Sequence, residues 1–432
     1  MELFNDFFVA CSRPRMQLQT ILNRVARHSS FVYGAPRWGE NAVRPTLEVP
    51  IRPRANGRAV CSGCGKRRPG YDQLDERRFE FVPLWQIAVV FVYTMRRVNC
   101  PKCGVTVERV PWSSGKSRLT TDYQWFLARW ARRLSWMEVA AVFHTTWEHV
   151  RDSVRHAVHW GLVHRDLSGA TAVGVDEIQW RRGHHYLTLI YQIDEGCRRL
   201  LWIGRERTEA SLRQGLDLLG EAFCSQLRFV CSDMWQPYLK VLAERAGGAL
   251  HILDRFHIMK QLGEALDDVR AAEVKRLRKD GYEPVLKRSR WCLLKRPENL
   301  TDQQTVKLAE LLKYNLQSVR AYLLREDFQR FWDYHSPVWA GKFLDEWSAR
   351  VLRSRLEPLK KAAHSLRKHR GLLLNWFHAR GAISAGIVEG FNNKAKLTLR
   401  KSYGFREFET IELALYHQLG KLPEPESAHR FC

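Results

Sequence analysis

The strongest constraint on the fold is a dense run of strand signals between residues 171 and 256. Segments rich in β-branched and aromatic residues alternate there with short polar turns, and helical segments enter in the second half. Three strands are followed by helix, strand, helix and strand, which predicts a mixed α/β sheet. The predicted bounds are 171–180, 185–193, 198–203, 227–232 and 249–253 for the strands, and 208–222 and 235–246 for the helices.

Two aspartates lie on apolar strands of this predicted sheet. Asp176 is embedded in Ala172-Val-Gly-Val-Asp-Glu-Ile, and Asp233 ends Leu227-Arg-Phe-Val-Cys-Ser-Asp. A carboxylate on a buried strand costs free energy unless it is paired or bound to a metal. The strand order is that of a ribonuclease H-like sheet, in which the first and fourth strands are neighbours. We therefore expect the two aspartates to face each other.

A third acid, Glu389, follows 156 residues after Asp233 in Val388-Glu-Gly-Phe-Asn-Asn-Lys-Ala-Lys. Carboxylate oxygens are the ligands that Mg²⁺ prefers, and two such ions about 4 Å apart can assist an in-line displacement at phosphorus. The sequence therefore predicts a catalytic site in which Asp176, Asp233 and Glu389 hold two Mg²⁺ or Mn²⁺ ions for phosphodiester chemistry. A solvated turn or a helix cap is the alternative for each acid taken singly.

The residues beside these acids also have predicted places. Glu177 follows Asp176 directly, and strand alternation directs its side chain to the opposite face of the sheet. Asp254 and His257 follow the fifth strand, where they either begin a helix or support the metal site. Polar residues on the helix that carries Glu389 are expected to touch DNA phosphates; these are Asn392, Asn393, Lys394 and Lys396.

The cysteines include two matched pairs, Cys61-Ser-Gly-Cys64-Gly and Cys100-Pro-Lys-Cys103-Gly. A spacing of three places both sulfurs of a pair on one side of a tight turn, and the following glycine permits close backbone approach. Two such pairs supply four thiolates for tetrahedral zinc and leave no open position. The sequence thus predicts a structural Zn²⁺ site at Cys61, Cys64, Cys100 and Cys103, with free or redox-active thiols as the alternative.

Residues 120–160 change to helical periodicity. A short apolar helix precedes His144 in a turn, and Thr145 with Glu148 can form a capping box for a second helix. This pattern predicts a helix-turn-helix whose second helix enters the major groove, although the usual turn glycine is absent. A plain helical hairpin is the alternative. The predicted DNA contacts of the second helix are Trp147, Arg151 and Arg155.

The formal net charge of +24 favours a polyanionic partner over small acidic ligands. Basic residues surround Trp291, and such a run is either a solvated face or a track for phosphates. With this net charge we expect double-stranded DNA as the partner, while a basic surface that serves only solubility is the alternative. The predicted DNA contacts of this run are Lys287, Arg288 and Arg290.

Together these features resemble the ISL-three family of bacterial insertion-sequence transposases, which carry an Asp-Asp-Glu catalytic domain. The resemblance extends from about Cys61 to about Leu419, and it implies that Asp176, Asp233 and Glu389 are the catalytic residues. Its most specific motifs are Gly174-Val-Asp-Glu, Ser232-Asp-Met-Trp, Asp254-Arg-Phe-His, Lys295-Arg-Pro-Glu-Asn-Leu-Thr, Val388-Glu-Gly-Phe-Asn-Asn-Lys and Tyr403-Gly-Phe-Arg.

The resemblance implies a ribonuclease H-like α/β core with an all-helical insertion, preceded by zinc-binding and helix-turn-helix domains. Asp254 and His257 are similar to an auxiliary motif of transposases with such insertions. The expected boundaries are a basic N-terminal segment without an assigned role at 1–30, a zinc-binding domain at 31–115, a helix-turn-helix domain at 116–165, the first part of the core at 166–256, the helical insertion at 257–384, the final core helices at 385–420 and a disordered tail at 421–432.

The activity expected from this resemblance is DNA cleavage at the inverted-repeat ends of an element, followed by strand transfer into target DNA. Pairing of two ends implies a homodimer on DNA. Two rival interpretations are a ribonuclease H-like nuclease without strand transfer and a DNA-binding regulator with an inactive core.

The sequence also predicts a cytoplasmic, nucleoid-associated bacterial protein without a membrane partner. The first ten residues contain Glu2 and Asp6 and lack the basic leading region of a signal peptide. The longest apolar stretch, residues 81–95, includes Gln86 and is too short to span a bilayer.

Overall fold

The computed structural model describes residues 17–40, 44–282, 285–379, 386–401, 405 and 407–429. The chain divides into two compact units. The first unit consists of residues up to 165, residues 405–418 and the segment from 422 onward, and the second unit consists of residues 166–404 and 419–421. In the part of the chain described, no helix is both long and apolar enough to cross a bilayer.

The first unit is built on a six-stranded sheet. Its strands are β1 (Phe31–Tyr33), β2 (Arg37–Trp38), β3 (Thr46–Pro53), β4 (Gly70–Leu84), β5 (Ile87–Cys100) and β6 (Gly104–Val107). They lie in the order β1-β3-β5-β4, with β2 beside β3 and β6 beside β5. β4 and β5 are long, with 15 and 14 residues, and Trp85 and Gln86 join them in a tight hairpin. Both turn residues have positive φ, as the favoured two-residue hairpin turns require.

The first unit also contains helices that precede and follow these strands in the sequence. They are α1 (Leu18–Val25), α2 (Thr121–Ala131), α3 (Trp136–Val142) and α4 (Trp147–His164). Val150 and Val154 on α4 are fully buried, as the helical periodicity predicts. The helical part of the N-terminal segment is therefore α1, and residues 1–16 of that segment lie outside the described residues.

The turn between α3 and α4 differs in detail from the prediction. Thr146, rather than Thr145, caps α4 by accepting a hydrogen bond from the backbone N–H of His149. The Thr145 hydroxyl instead lies 3.0 Å from Nδ1 of the His149 ring. His144 adopts φ of 50°, the left-handed conformation that a turn glycine usually provides. The missing glycine is thus replaced by a histidine in the same conformation.

The second unit contains a five-stranded sheet in the order β11-β10-β7-β8-β9. The strands are β7 (Ala172–Arg181), β8 (His185–Asp194), β9 (Cys197–Arg205), β10 (Phe229–Ser232) and β11 (Leu250–Leu253). β7, β8 and β9 form an antiparallel meander, whereas β10 pairs in parallel with both β7 and β11. The structure confirms the predicted neighbourhood of the first and fourth strands of the run, with Cys231 opposite Gly174.

Helices flank this sheet, and no further strand is found among the described residues after 253. They are α5 (Glu209–Leu219), α6 (Glu221–Ser225), α7 (Gln236–Arg245), α8 (Arg255–Lys279), α9 (Arg290–Leu294), α10 (Asp302–Leu311), α11 (Gln317–Gln329), α12 (Pro337–Leu352), α13 (Glu357–Lys368), α14 (Arg370–His378) and α15 (Gly386–Lys401). Helices α8 to α14 share a core that includes Leu262, Leu266, Phe328, Phe331 and Trp347. The boundary predicted at residue 384 lies outside the described residues.

The last helix belongs to a different unit from the one predicted. The final core helices are expected to continue to residue 420, but α16 (Phe408–Leu419) lies within the first unit up to residue 418. Gln418 donates hydrogen bonds from its side-chain amide to the backbone carbonyls of Ala131 and Arg132. Helix ends leave carbonyl groups without partners inside the helix. The carbonyls at the end of α2 therefore accept hydrogen bonds from Gln418, and this contact attaches α16 to the first unit.

The prediction of a disordered tail is wrong for the described residues 421–429. Glu424 forms ion pairs with Arg129 at 2.9 Å and Arg132 at 2.6 Å. The Leu422 side chain is buried and lies close to Gly161, where a Cβ atom would be only 2.6 Å from that of Leu422. The tail has a polar sequence, yet it is ordered because basic and glycine residues far upstream provide its partners. Residues 430–432 lie outside the described part of the chain.

Candidate active site and cysteine cluster

Asp176 is the most deeply embedded of the predicted catalytic acids. It lies on β7, is 5 % exposed, and receives a hydrogen bond from the backbone N–H of Glu177 at 2.8 Å. Its second oxygen accepts a hydrogen bond from the side-chain amide of Asn392 on α15 at 2.6 Å. Burial raises the pKa of Asp176, since the ionised form has lost solvation. A bound cation would compensate this cost.

The contact with Asn392 depends on how closely α15 packs on the sheet. Gly174, two residues before Asp176 on the same strand face, has no side chain, and a Cβ atom there would lie 2.5 Å from Val388 Cγ2. Asn392 is held from its other end by the Tyr191 hydroxyl, which donates to Asn392 Oδ1 at 3.0 Å. Asn392 is 7 % exposed and its side-chain amide donates to Asp176, so the phosphate contact expected of it stays a prediction.

Asp254 and His257 join Asp176 in one cluster, called here the acidic cluster. In this group, one ligand atom of each residue lies within 4.8 Å of those of the other two. Asp254 begins α8 as its N-cap and also lies 3.0 Å from Nδ1 of His257. His257 Nε2 is 3.9 Å from Asp176. Asp254 therefore caps the helix, as one alternative predicts, and also lies beside Asp176, while its support of a metal site stays a prediction.

The acidic cluster stabilises the protonated, positively charged form of His257. Burial alone lowers the pKa of His257, but the hydrogen bond to Asp254 and the charges of Asp176 and Asp233 outweigh it and raise the pKa to about 9. The imidazole is therefore a cation at neutral pH. The carboxylate oxygens of Asp176 and Asp254 suit Mg²⁺ or Mn²⁺, whereas His257 would have to lose its proton before it could bind a metal.

Asp233 lies immediately after β10 and has a different set of partners. Its Oδ2 accepts a hydrogen bond from Arg207 at 2.8 Å, and Arg207 also lies 3.1 Å from Glu177. Among the described residues, Asp233 is outside the acidic cluster. The strands bring Asp176 and Asp233 to neighbouring positions, as predicted, while an arginine pairs with the second aspartate.

Glu177 and Arg207 lie beside the predicted catalytic acids, and sequence reasoning assigned neither of them to the site. Strand alternation assigned Glu177 to the far face, but Arg207 links it to Asp233. Burial, followed by the charges of Asp233 and Asp176, raises the pKa of Glu177 to about 7. Its Oε2 and the Arg207 Nε are both buried without a hydrogen-bond partner among the described residues. The Asp-Glu dipeptide was a visible signal, whereas nothing local marked Arg207.

Glu389 lies on α15 three residues before Asn392, so the two side chains share one helix face. Glu389 is partly exposed and, in the part of the chain described, lies outside the acidic cluster. The helix therefore directs Glu389 toward the side of the sheet that carries Asp176 without completing a three-acid site. The neighbouring residues Asn393, Lys394 and Lys396 are exposed, unlike Asn392.

The four paired cysteines meet in the first unit and form the cysteine cluster. Cys61, Cys64, Cys100 and Cys103 each place a sulfur within 4.8 Å of the other three. Gly63 permits this approach, since a Cβ atom there would lie 2.9 Å from Cys103 Sγ. The glycines that follow the pairs, Gly65 and Gly104, have φ of 69° and 74° and open space around them. Their role is therefore the left-handed turn rather than close approach.

The thiols of the cysteine cluster differ in how readily they ionise. The Thr106 hydroxyl, 3.3 Å from Cys61 Sγ, and the N–H groups of Cys64 and Gly63 lower the pKa of Cys61 to about 6. Burial and the neighbouring Cys100 and Cys61 sulfurs raise the pKa of Cys103 to about 12. Four adjacent thiolates require a cation to offset their repulsion, and the arrangement is compatible with zinc.

The predicted DNA contacts on α4 are only partly available. Arg151 lies over the Trp147 ring at 5.4 Å, and both are partly exposed. Arg155 is instead held by two carboxylates, Asp152 and Glu409, the latter at 2.9 Å. In the second unit, Lys287, Arg288 and Arg290 are exposed, and Arg290 is paired with Asp267 at 2.9 Å.

Comparison with known proteins gives a consistent identification. A transposase family model, that of the Asp-Asp-Glu transposases of ISL-three type, matches residues 173–415. The transposase for insertion sequence element IS1001 of Bordetella parapertussis is 29% identical over 389 residues, which cover 89% of this chain and 94% of that protein. The transposase for insertion sequence element IS1557 of Mycobacterium tuberculosis is 28% identical over 414 residues, which cover 88% of this chain and 90% of that protein. The matched region contains the whole five-stranded sheet apart from the first residue of β7, and the acidic cluster as well. The chain belongs to the ISL-three family of Asp-Asp-Glu transposases.

Proposed function

We propose that this protein is the transposase of an insertion sequence, which binds the inverted-repeat ends, cleaves DNA there and joins the freed 3′-hydroxyl to target DNA. The observation that carries the proposal is the convergence on Asp176 of residues from β7, α8 and α15. These elements are distant in sequence, and their meeting around a buried carboxylate suits metal-assisted phosphoryl transfer.

Asp176, Asp233 and Glu389 are the proposed metal ligands, with Asp254 and His257 as auxiliary residues. Two Mg²⁺ or Mn²⁺ ions held by them would supply Lewis acidity to the attacking and leaving oxygens of the scissile phosphodiester. Support comes from the burial of Asp176, the parallel pairing of β7 with β10 and the shared helix face of Glu389 and Asn392.

The chain itself contributes orientation and charge. Asn392 and the Glu177 N–H fix both oxygens of Asp176, so this carboxylate meets its ligand without rearranging. Arg207 links Asp233 to Glu177 and would give up Asp233 Oδ2 if that oxygen ligated a cation. Its position above the Trp235 ring, at 4.4 Å, offers the guanidinium a place to remain.

DNA recognition is assigned to the first unit. The cysteine cluster has four ligands and no open position, which suits structural Zn²⁺. Helices α3 and α4, joined by the left-handed His144, have the arrangement of a helix-turn-helix, with Trp147 and Arg151 on the partly exposed face of α4.

The second unit contributes exposed cations and an exposed amide that suit phosphate contacts. These are Asn393, Lys394, Lys396, Lys287 and Arg288.

A homodimer is the proposed active assembly, because each transposition event joins two element ends. The DNA partners are then a pair of ends and one target duplex. Mass measurement of the protein with and without end DNA would test this, and a single chain bound per cleaved pair of ends would exclude the dimer.

The deciding experiment incubates full-length protein with labelled element ends, a supercoiled target plasmid and Mg²⁺, and scores nicking and strand transfer separately. Wild-type protein should give both products. Asp233→Ala should retain end binding in a mobility-shift assay and lose both products. Mn²⁺ binding measured by calorimetry should fall in parallel, which gives a readout independent of activity.

Asp217→Ala is the matched control, since Asp217 is an exposed carboxylate of the same unit that pairs with Arg245. It should bind, cleave and join like wild type. If wild-type protein cleaved the ends without joining them to the target, the result would favour a ribonuclease H-like nuclease without strand transfer. If wild-type protein bound the ends without cleaving them, the result would favour a DNA-binding regulator. Persistent cleavage by Asp233→Ala would show that the ligand assignment is wrong.

A further inference from the structure

A cavity of about 450 Å³ opens in the first unit beside the cysteine cluster. Its walls come from three segments that lie far apart in the sequence: the residues after α1, the loop before the first cysteine pair and the residues that follow β6. Each segment contributes one exposed arginine, and these are Arg27, Arg58 and Arg109. The cavity thus gathers three positive charges, one of them from the basic N-terminal segment to which the sequence gives no role.

The three arginines have no acidic partner. Among the described residues, none of their guanidinium groups forms an ion pair or a hydrogen bond. Other arginines of the same unit are paired: Arg97 with Asp72, and Arg129 with Glu424. Unpaired cations that share one cavity repel one another, so an anion bound between them would be stabilising.

Glu108 is the single carboxylate in the described wall of this cavity, and its charge is already compensated. Both of its oxygens lie 3.1 Å from the Nε of Arg96, and Oε2 also accepts a hydrogen bond from Nη2 at 2.7 Å. The Tyr93 hydroxyl donates to Oε1 at 2.6 Å. Glu108 is 3% exposed, so it offers little repulsion to an incoming anion. The excess positive charge of the cavity therefore comes from the three unpaired arginines.

The backbone around the cavity is fixed by contacts that also support the cysteine cluster. Arg109 donates its backbone N–H to the Val60 carbonyl at 2.7 Å, and Val60 directly precedes the first cysteine of the cluster. The carbonyl of Gly57, the residue before Arg58, accepts a hydrogen bond from Arg96 at 3.1 Å. Two of the three arginines therefore extend from held backbone, and little further ordering of the chain is needed when an anion binds.

We propose that this cavity binds a phosphate group of the DNA backbone at the element end, as a contact separate from α4. Guanidinium groups bind phosphate oxygens through charge-assisted hydrogen bonds, and the exposed Ser29 hydroxyl in the same wall can donate another. The inference rests on the proposed function, since the occupant is the DNA on which the transposase acts. Such a contact carries no base information and instead fixes the register of the first unit on the duplex.

The test is equilibrium binding of the full-length protein to an element end and to an unrelated duplex over a series of salt concentrations. Arg109→Gln should weaken both complexes equally, by about 5- to 10-fold at 0.1 M salt, because one phosphate contact is lost. The slope of log affinity against log salt concentration should become shallower by about 0.9. Arg109→Lys should keep most of this slope, since the charge remains.

A methylphosphonate scan of the element end locates the contact. This substitution removes the charge of one phosphate, so at one position it should weaken binding by wild type and leave binding by Arg109→Gln unchanged. Arg97→Gln is the matched control, because Arg97 is paired with Asp72 and does not line the cavity. It should bind both duplexes like wild type, with the same salt slope.

An unchanged salt slope in Arg109→Gln would overturn the proposal, as would a loss confined to the element end, which would indicate a base contact. A free polyphosphate offers the same chemistry as the DNA backbone. If pyrophosphate bound wild type but not Arg109→Gln in calorimetry, while both proteins bound DNA equally, the backbone assignment would be wrong. In each of these cases, cleavage of element ends by wild type would leave the proposed transposase function intact.

Discussion

The cysteine cluster and the acidic cluster of this protein, which we propose as metal sites, are assembled in different ways. The cysteine cluster takes two residues from each of two short motifs, and every ligand is visible in the sequence at its expected spacing. The acidic cluster takes Asp176 from a strand and Asp254 and His257 from the start of a helix, while an amide from α15 completes it. Local turns build each cysteine pair, and the pairing of β5 with β6 and the bridge between Cys61 and Glu108 bring the two pairs together, whereas the acidic cluster needs a sheet and two distant helices.

The clusters also differ in what holds them without a metal. Hydrogen bonds and left-handed glycines position the sulfurs of the first cluster, but burial and the neighbouring sulfurs raise the pKa of Cys103, so the four thiols resist full ionisation without a cation. Cations already lie beside both aspartates: His257 within the acidic cluster, next to Asp176, and Arg207 outside it, next to Asp233. We therefore expect metal loss to unfold the first unit and to leave the second unit folded but inactive.

The largest expected effect is at the cysteine cluster. Because binding of structural zinc contributes on the order of 10 kcal/mol to folding, Cys100→Ser should release zinc, unfold the first unit and abolish end binding. Zinc analysis and hydrogen exchange resolved by unit would measure this. Cys197→Ser, at a partly exposed thiol of the second unit, is the control and should change neither. A folded first unit in zinc-free Cys100→Ser would remove the contrast between the clusters.

The next effect separates activity from stability at the acidic cluster. Asp176→Asn should reduce cleavage by more than about a hundredfold, since it removes a metal ligand. Burial raises the pKa of Asp176, so its ionised form destabilises the metal-free fold at neutral pH and the amide should raise the Tm. Asp217→Asn is the control for both measurements. A lower Tm together with lost activity would show that the carboxylate is structural.

A smaller effect should follow from disturbing the approach of α15. Gly174→Ala places a methyl group against Val388, and overpacking of this kind costs about 1–3 kcal/mol. We expect the strain to shift Asn392 away from Asp176 and to slow cleavage by about 10- to 100-fold. Val388→Ala in the same chain should restore much of the rate by removing the clash.

Gly169→Ala is the matched control for that substitution, because an added Cβ there meets no atom within 4 Å. It should leave the rate and the stability unchanged. Cleavage by Gly174→Ala at the wild-type rate would mean that the acidic cluster does not depend on how closely α15 packs against β7. The difference between the acidic cluster and the cysteine cluster would then be smaller than we infer.

The smallest expected effect is a loss of stability of the second unit at acidic pH. Burial lowers the pKa of His251 on β11 from 6.5 to about 4, and its Nε2 lies 2.8 Å from the Ser232 hydroxyl. As the pH falls, His251 is protonated in the unfolded chain before it is protonated in the folded protein. The stability that depends on neutral His251 is therefore complete above pH 6.5 and is lost as the pH falls toward 4. At pH 5 the loss should be about 2 kcal/mol.

His251→Gln should flatten this pH dependence, measured by chemical unfolding of the second unit followed by hydrogen exchange. The first unit provides the comparison, because acid also protonates metal-bound thiolates. His251→Gln should leave the acid response of the first unit unchanged. An unaltered slope in the second unit would show that another group controls its acid sensitivity.

Much of the architecture was predictable because it depends on local pattern. The order of strands and helices between residues 171 and 256, the cap at Thr208 and the buried face of α4 follow from periodicity and turn residues. Glycine conformation also has local causes, which is why the predicted helix at 208–222 ends early, at Gly220 with φ of 95°. The long hairpin of β4 and β5 escaped prediction, since two non-glycine residues form its turn.

The chain sequence by itself determined the ligand types: four cysteines at fixed spacing, two aspartates on apolar strands and a glutamate on a basic helix. Only the tertiary structure decided that Asn392 is buried against Asp176, that Arg207 joins Glu177 to Asp233 and that the polar tail is ordered. The physical reason is the same in each case. Local sequence sets backbone conformation and burial preference, whereas the partner of a buried charge is chosen by packing between elements that lie far apart along the chain.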